Sequence, residues 1–200
     1  MHARVTTIQG SPDTVDQSLQ VLREQVLPGA RDIPGFKGVL SLVDRGSGKG
    51  LTVTLWESEE AMRASDAHLR AIRDRGRDIL GGSMQVDEWE IAAMHRTHHG
   101  ECCRVSWLQG DVDAMVESFR FAILPELEQA RGFCSASLMV NRSTGLGCAT
   151  SAWESQAAME ASRTTADNLR SRIASDAGGE VVDVHEFDLA YAHLHVPEMA

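Results

Sequence analysis

The chain has 200 residues, 42% of them hydrophobic, with 19 basic against 29 acidic side chains and a formal charge of −10. That balance argues against the clustered basic face of a nucleic-acid binder and against attraction to anionic membrane, and no apolar run approaches the ~18 residues of a transmembrane helix. The length suits one large domain or two small ones, with a core that needs no disulfide staples.

Residues Arg4 to Gln9 predict a strand of β-branched residues. Ser11-Pro12 then supplies an N-cap and a proline at the first helical position. The helix is expected to run to about Leu27, with Val15, Leu19, Leu22 and Val26 on its buried face, and to end at Pro28-Gly29. Gly35-Phe36 introduces a second strand, Lys37 to Val43, and Asp44 to Gly50 reads as a glycine-rich hairpin turn. The third strand, Leu51 to Trp56, alternates Leu51, Val53 and Leu55 with Thr52, Thr54 and Trp56. Ser58 caps a second helix whose Glu59 and Glu60 suit the positive end of its dipole and whose stripe is Met62, Ser65, Leu69 and Ile72. Met84 to Ile91 is the last strand of this set.

The same series then repeats. Ala3-Arg-Val-Thr-Thr-Ile-Gln-Gly10 matches Cys103-Arg-Val-Ser-Trp-Leu-Gln-Gly110. Beyond a turn of different length, Gly35-Phe36 matches Gly132-Phe133, and Trp56-Glu57-Ser58 matches Trp153-Glu154-Ser155. Ala61-Met62 matches Ala158-Met159, and Gly81-Gly82 matches Gly178-Gly179. In the copy Pro125 is followed by Glu-Leu-Glu, so that helix is expected to continue with a kink, and Val181 to Leu189 is the last strand. The division is residues 1–92 for the first repeat, 93–101 for a His-rich linker, and 102–200 for the second repeat with a C-terminal extension.

The order β-α-β-β-α-β is the ferredoxin-like unit, an antiparallel sheet with both helices on one face. A lone copy would leave the other, apolar face bare. The fold class is therefore α+β, two ferredoxin-like repeats forming a single-chain pseudo-dimeric α+β barrel in which the copies cover each other. Two chains could pair further.

Gly-Phe before strand two, Trp-Glu-Ser closing strand three and Ala-Met in the next helix resemble the antibiotic biosynthesis monooxygenase family of dimeric α+β barrels. The resemblance implies a small cofactor-independent monooxygenase acting on an aromatic quinol or anthrone-like molecule. Haem-degrading members carry an Asn on the first strand and a Trp and a His on the second helix. Here those places hold Thr6, Thr7 and Ser106, then residues near Ser65 and Arg75 or Ser162 and Arg172, which speaks against haem degradation. Anthrone-oxidising members carry an Asn four residues before the Trp; here Thr52 and Ala149 stand there.

Cofactor-free oxygenation asks for a dry pocket, a base, and a donor that holds an anion. His68, on the second helix, is a candidate base; the alternative is a boundary histidine half in solvent. Asp87 and His185 hold equivalent places on the last strands, beside Trp89 and Phe187, and are candidate acid–base groups or strand-end residues reaching water. Arg45 and Arg142 could hold an anion, or be solvated turn residues. Trp56, Trp153 and Trp107 could stack on an aromatic ligand, or pack the core.

Other motifs point elsewhere. Cys102, Cys103, Cys134 and Cys148 form no CxxC pair and read as buried free thiols in a reducing compartment, although a redox pair stays open. The N-terminus lacks an apolar signal core, so a cytoplasmic location is expected. His95, His98, His99, His193 and His195 are close-spaced imidazoles of the kind that can take zinc or nickel, but no carboxylate or thiolate completes a recognised pattern. No cofactor or resident metal is expected. The competing readings are a non-catalytic barrel for a small hydrophobic ligand or a stress response, and a haem binder with an axial His68 or His185.

Overall fold

The computed structural model describes residues 1–80 and 82–195. Gly81 of the repeated Gly-Gly pair and the expected C-terminal extension after His195 lie outside the described residues.

The first repeat contains β1 (His2–Gln9), a short 3-10 turn (Pro12–Thr14), α1 (Val15–Val21), α2 (Leu27–Arg31), β2 (Phe36–Val43) and β3 (Lys49–Trp56). It continues with α3 (Glu59–Ala64), α4 (Asp66–Leu80) and β4 (Ser83–Arg96). The second repeat mirrors it with β5 (Cys102–Gln109), α5 (Val112–Ser118), α6 (Leu124–Leu127), β6 (Phe133–Asn141) and β7 (Leu146–Trp153). It ends with α7 (Gln156–Ala161), α8 (Arg163–Asp176) and β8 (Glu180–Leu194). The strands hydrogen-bond in the order β1-β3-β2-β8-β5-β7-β6-β4, which closes on itself, so the fold is an antiparallel α+β barrel of two β-α-β-β-α-β repeats.

The chain divides into two compact units: residues 1–89 with the end of β8 from Asp188 (unit 1), and residues 90–187 (unit 2). The last strand of each repeat is longer than the sequence suggested. β4 runs on through Arg96, and its residues Glu90 to Arg96 pair with β6 within unit 2. β8 runs to Leu194, and its residues Asp188 to Leu194 pair with β2 within unit 1. The stretch expected as a linker from residue 93 therefore begins as strand, and the connection narrows to residues 97–101.

The repeated motif folds each unit's end into one knot. Gly35 adopts φ +84°, and a Cβ there would lie 2.6 Å from that of Ala61, so only glycine permits the contact. Its carbonyl accepts from the Glu57 N–H at 2.7 Å, Phe36 meets Trp56 edge-on at 5.5 Å, and the Ser58 hydroxyl accepts from the Ala61 N–H. In unit 2, Gly132, Phe133, Trp153, Ser155 and Ala158 repeat each contact.

The first helix does not end at Pro28-Gly29 as expected. It relaxes into a π-turn over Leu22–Val26, where the Leu27 N–H bonds to the Leu22 carbonyl, and continues to Arg31. A wider turn immediately before a proline relieves the clash its ring makes with an ordinary helical turn. Gly29 stays helical because α4 packs on it: a Cβ there would come within 2.7 Å of the Ile72 side chain. Unit 2 passes Pro125 by the same device, a π-turn at Phe119–Ile123.

Candidate functional site

Unit 1 contains a pocket of about 60 Å³ between its sheet and its helices, room for a handful of waters. Arg4, Thr6 and Ile8 of β1 and Thr52 and Thr54 of β3 form its strand wall, and Leu69, Ile72, Arg73 and Gly76 of α4 face them. Ser18 and Val21 of α1, Leu22 and Val26 of the π-turn and Met84 of β4 complete the lining. The helix residues follow from the amphipathic stripe read in the sequence, extended by one turn to Gly76.

Arg4 is the residue that sequence reasoning passed over. It is 3% exposed, yet it stands third in β1, where a lone arginine reads as solvated. Its Nη1 donates to Ser65 Oγ at 2.9 Å, and its Nη2 donates to the Met62 carbonyl and to Glu88 Oε1, each at 2.9 Å. Met62 lies in the last turn of α3, whose terminal carbonyls have no helical partner and carry partial negative charge. Arg4 thus caps the break between α3 and α4 while tying both to β4. Ser65 Oγ donates to the same carbonyl at 2.6 Å.

Asp66 opens α4 beside this arginine. It pairs with Arg70 and Arg73 and lies 3.9 Å from Arg4 Nη2. The bond from Arg70, followed by those contributed by Arg73 and the charge of Arg4, holds its carboxyl at about 2, against a partial burial that would raise it. One carboxylate therefore serves three guanidinium groups, two of which line the pocket. So firmly ionised a carboxylate is a poor proton acceptor.

Unit 2 holds the equivalent pocket, about 50 Å³, with Arg104 in the place of Arg4. Arg104 donates to Glu186, Ser162 Oγ and the Met159 carbonyl at 2.9, 2.9 and 2.8 Å. The rest has diverged. Phe119 replaces Leu22, Ala149 replaces Thr52, and Ile173 replaces Gly76. Arg163 stands where Asp66 stands in unit 1, and it pairs with Glu160 and Glu186. Burial and then the charges of Arg104 and Arg163 lower the pKa of Arg170, the counterpart of Arg73.

None of the residues named from sequence as candidates for catalysis or ligand binding lines either pocket. His68 is exposed on α4, next to Leu69, which does line the unit 1 pocket. Met84 lines that pocket, so strand alternation puts Asp87 on the opposite face of β4, where Gln85 Nε2 donates to it at 3.0 Å. His185 likewise lies on the face of β8 opposite Glu186, its ring 4.6 Å from that of Phe187. Trp107 alternates with the pocket-lining Ser106 and Leu108 and is half-buried. Trp56 and Trp153 are fully buried, and their indole N–H groups donate to Thr54 and Ser151, both at 3.1 Å. Arg45 is exposed and bonded to Asp16 at 2.9 Å, and Arg142 is exposed and bonded to Glu90 and Asp113 at 2.8 and 2.7 Å. Thr52 and Ala149, the positions at which the family resemblance seeks an Asn, do line their pockets, and only the first brings a hydroxyl.

The four cysteines are free and buried. Burial pushes the Cys148 thiol up to about 12; burial, then the neighbouring Cys102 and Cys134, does the same for Cys103. Among the described residues no group of three or more His, Cys, Asp or Glu converges on a metal position, and no helix is long and apolar enough to cross a membrane.

The family model described as antibiotic biosynthesis monooxygenase matches residues 1–73. Two uncharacterized proteins of Mycobacterium tuberculosis are 41% and 44% identical to this chain over its whole length, covering 92% and 87% of their own. Among solved structures, an anthrone oxidase-like protein is similar with TM-score 0.68 at 15% identity, over 100% of this chain and 95% of that one. A haem-degrading enzyme from Listeria monocytogenes gives TM-score 0.56 at 10% identity, over 94% and 99%. At those identities the structural likeness speaks for the fold alone.

Proposed function

The chain belongs to the antibiotic biosynthesis monooxygenase family, in tandem-duplicated form, and from that premise we propose that the unit 1 pocket takes a small, flat phenol, hydroquinone or anthrone as its anion and presents it to oxygen. The observation that carries the reading is Arg73, a pocket-lining guanidinium whose carboxylate partner Asp66 is shared with Arg70 and Arg4. A shared counter-ion leaves positive potential in an otherwise apolar cleft, and that favours the ionised form of a weakly acidic ligand.

The chain's own residues then have limited work. Thr52 and Arg73 orient the ligand oxygen, Leu22, Val26, Leu69 and Ile72 exclude water, and Met84, an unbranched and adaptable side chain, lets the small pocket widen around a ring. With an anthrone, the anion passes an electron to oxygen. One oxygen atom becomes the new carbonyl and the other leaves as water, whose two hydrogens balance the two lost by the methylene: one is released to solvent as the anion forms and an equivalent proton is taken back from solvent. The first proton departs to solvent at the pocket mouth, because the lining holds no histidine, carboxylate or thiol to take it. That same lack supports the second reading, ligand binding without turnover.

Oxygen uptake with a panel of anthrones and hydroquinones tests the proposal. Uptake with quinone formation is expected, lowered about 100-fold or more in Arg73→Gln and unaltered in His68→Ala and His185→Ala. Binding without uptake leaves the second reading; neither binding nor uptake rejects both.

A further inference from the structure

The end of β8 and the residue that follows it carry a pair of imidazoles that the pocket chemistry does not use. His193 is half-buried and His195 exposed, and their Nε2 atoms lie 3.1 Å apart with the rings nearly perpendicular, 88° between planes. Residues two apart on a strand share a face, and here the strand is held firmly. His193 is in register with Val39 of β2, and the His195 N–H donates to the Lys37 carbonyl at 2.7 Å. Gly38, at φ +148°, brings the two backbones together: a Cβ on it would fall 2.5 Å from the His193 carbonyl oxygen. The two rings are thus presented by a paired backbone, unlike the adjacent His98 and His99, which lie in the connection between β4 and β5.

We propose that His193 and His195 form a two-imidazole site for a borderline divalent transition metal, copper(II) above all, with solvent filling the remaining positions. The nitrogen spacing fits the chemistry. With metal–nitrogen bonds of about 2.0–2.1 Å, two ligands at a right angle stand about 2.9 Å apart and two at the tetrahedral angle about 3.4 Å; 3.1 Å lies between. Without metal, one Nε2–H donates to the other ring's lone pair. Metal binding moves the donating ring to its Nδ1–H tautomer with no net loss of a proton, so that both Nε2 lone pairs are free to bind. Two neutral nitrogens and no thiolate rank the ions copper above nickel and zinc, and leave magnesium and manganese unbound.

The test is titration of the full chain with copper(II), nickel(II) and zinc(II) by calorimetry, with electron paramagnetic resonance of the copper form. One copper per chain is expected, its spectrum split by two imidazole nitrogens. His193→Gln and His195→Gln should each weaken it by more than the ~10-fold that disturbing a ligand's outer partner costs, with circular dichroism unchanged. The doubly substituted His98→Gln, His99→Gln chain should bind as the wild type does. Copper retained with the same affinity and spectrum after substitution of both His193 and His195, or lost only with His98 and His99, overturns the assignment.

Discussion

Gly76 on α4 stands where Ile173 stands on α8, and each lines the pocket of its own unit. It is one of several differences in a repeat that keeps its arginine and its serine: Phe119 also replaces Leu22, and Ala149 replaces Thr52. The branched side chain takes up room that Gly76 leaves open, in pockets of about 50 Å³ in unit 2 and about 60 Å³ in unit 1. Gly76 has no structural need of its own: a Cβ there would meet only Val21 and Met84, at ordinary contact distances of 3.9 and 4.0 Å. A glycine inside a helix costs ~0.5–1 kcal/mol relative to alanine. Gly76→Ala should therefore stabilise the fold by about that amount in urea unfolding, and a loss of stability would show that the glycine serves the fold.

Arg4 should be indispensable to the fold. Arg4→Met keeps the volume but removes the donors that serve Met62, Ser65 and Glu88. Ser65 Oγ still reaches the Met62 carbonyl, so the loss falls short of a fully abandoned ion pair. A destabilisation of roughly 2–3 kcal/mol is expected from unfolding midpoints, with the same result for Arg104→Met. A neutral outcome would mean that the helix break needs no cap.

Asp66 makes a pH dependence with a defined sign. Its folded pKa is depressed to about 2, chiefly by Arg70, then by Arg73 and Arg4. A depressed carboxyl adds stability above its unfolded pKa of about 3.9, and that contribution fades as pH falls through the window from about 4 to about 2. Thermal unfolding of the wild type should steepen in that window, and Asp66→Asn should flatten the slope there. Equal slopes would remove Asp66 from the network.

The buried cysteines should be inert. With Cys103 and Cys148 held at about 12 and all four thiols buried, the thiolate that reacts is scarce. A thiol-reactive disulfide reagent should label the native protein only over hours and all four cysteines at once in denaturant. Rapid labelling of the native chain would contradict this.

Much of this fold was legible because the repeat is written in residues that do local, obligatory work. Gly35, Trp56, Ser58 and Ala61 build a single knot, so their recurrence as Gly132, Trp153, Ser155 and Ala158 carries the architecture with it. The ends of β4 and β8 were harder to see. Their last residues, such as His95 and His193, are polar or small, and they become strand through pairing with β6 and β2 rather than through their own pattern. The site was largely illegible for a related reason. Arg4 owes its role to Ser65 and Glu88, 61 and 84 residues away, whereas His68 and Asp87 drew attention by chemistry while helix and strand geometry turn them from the pockets. The signal that could have found the network was present: arginine, serine and glutamate recur together as Arg4, Ser65 and Glu88, then Arg104, Ser162 and Glu186.

The proposed function puts an aromatic anion in one pocket, that of unit 1. Absorbance titration of an anthrone under nitrogen reads the anion directly, in the wild type and in Gly76→Ile, which gives unit 1 the side chain that unit 2 already has. One anion per chain in the wild type, and none in a Gly76→Ile protein that still unfolds cooperatively, is the result predicted. Undiminished binding of the anion in Gly76→Ile, or binding only of the neutral ligand in the wild type, would contradict it.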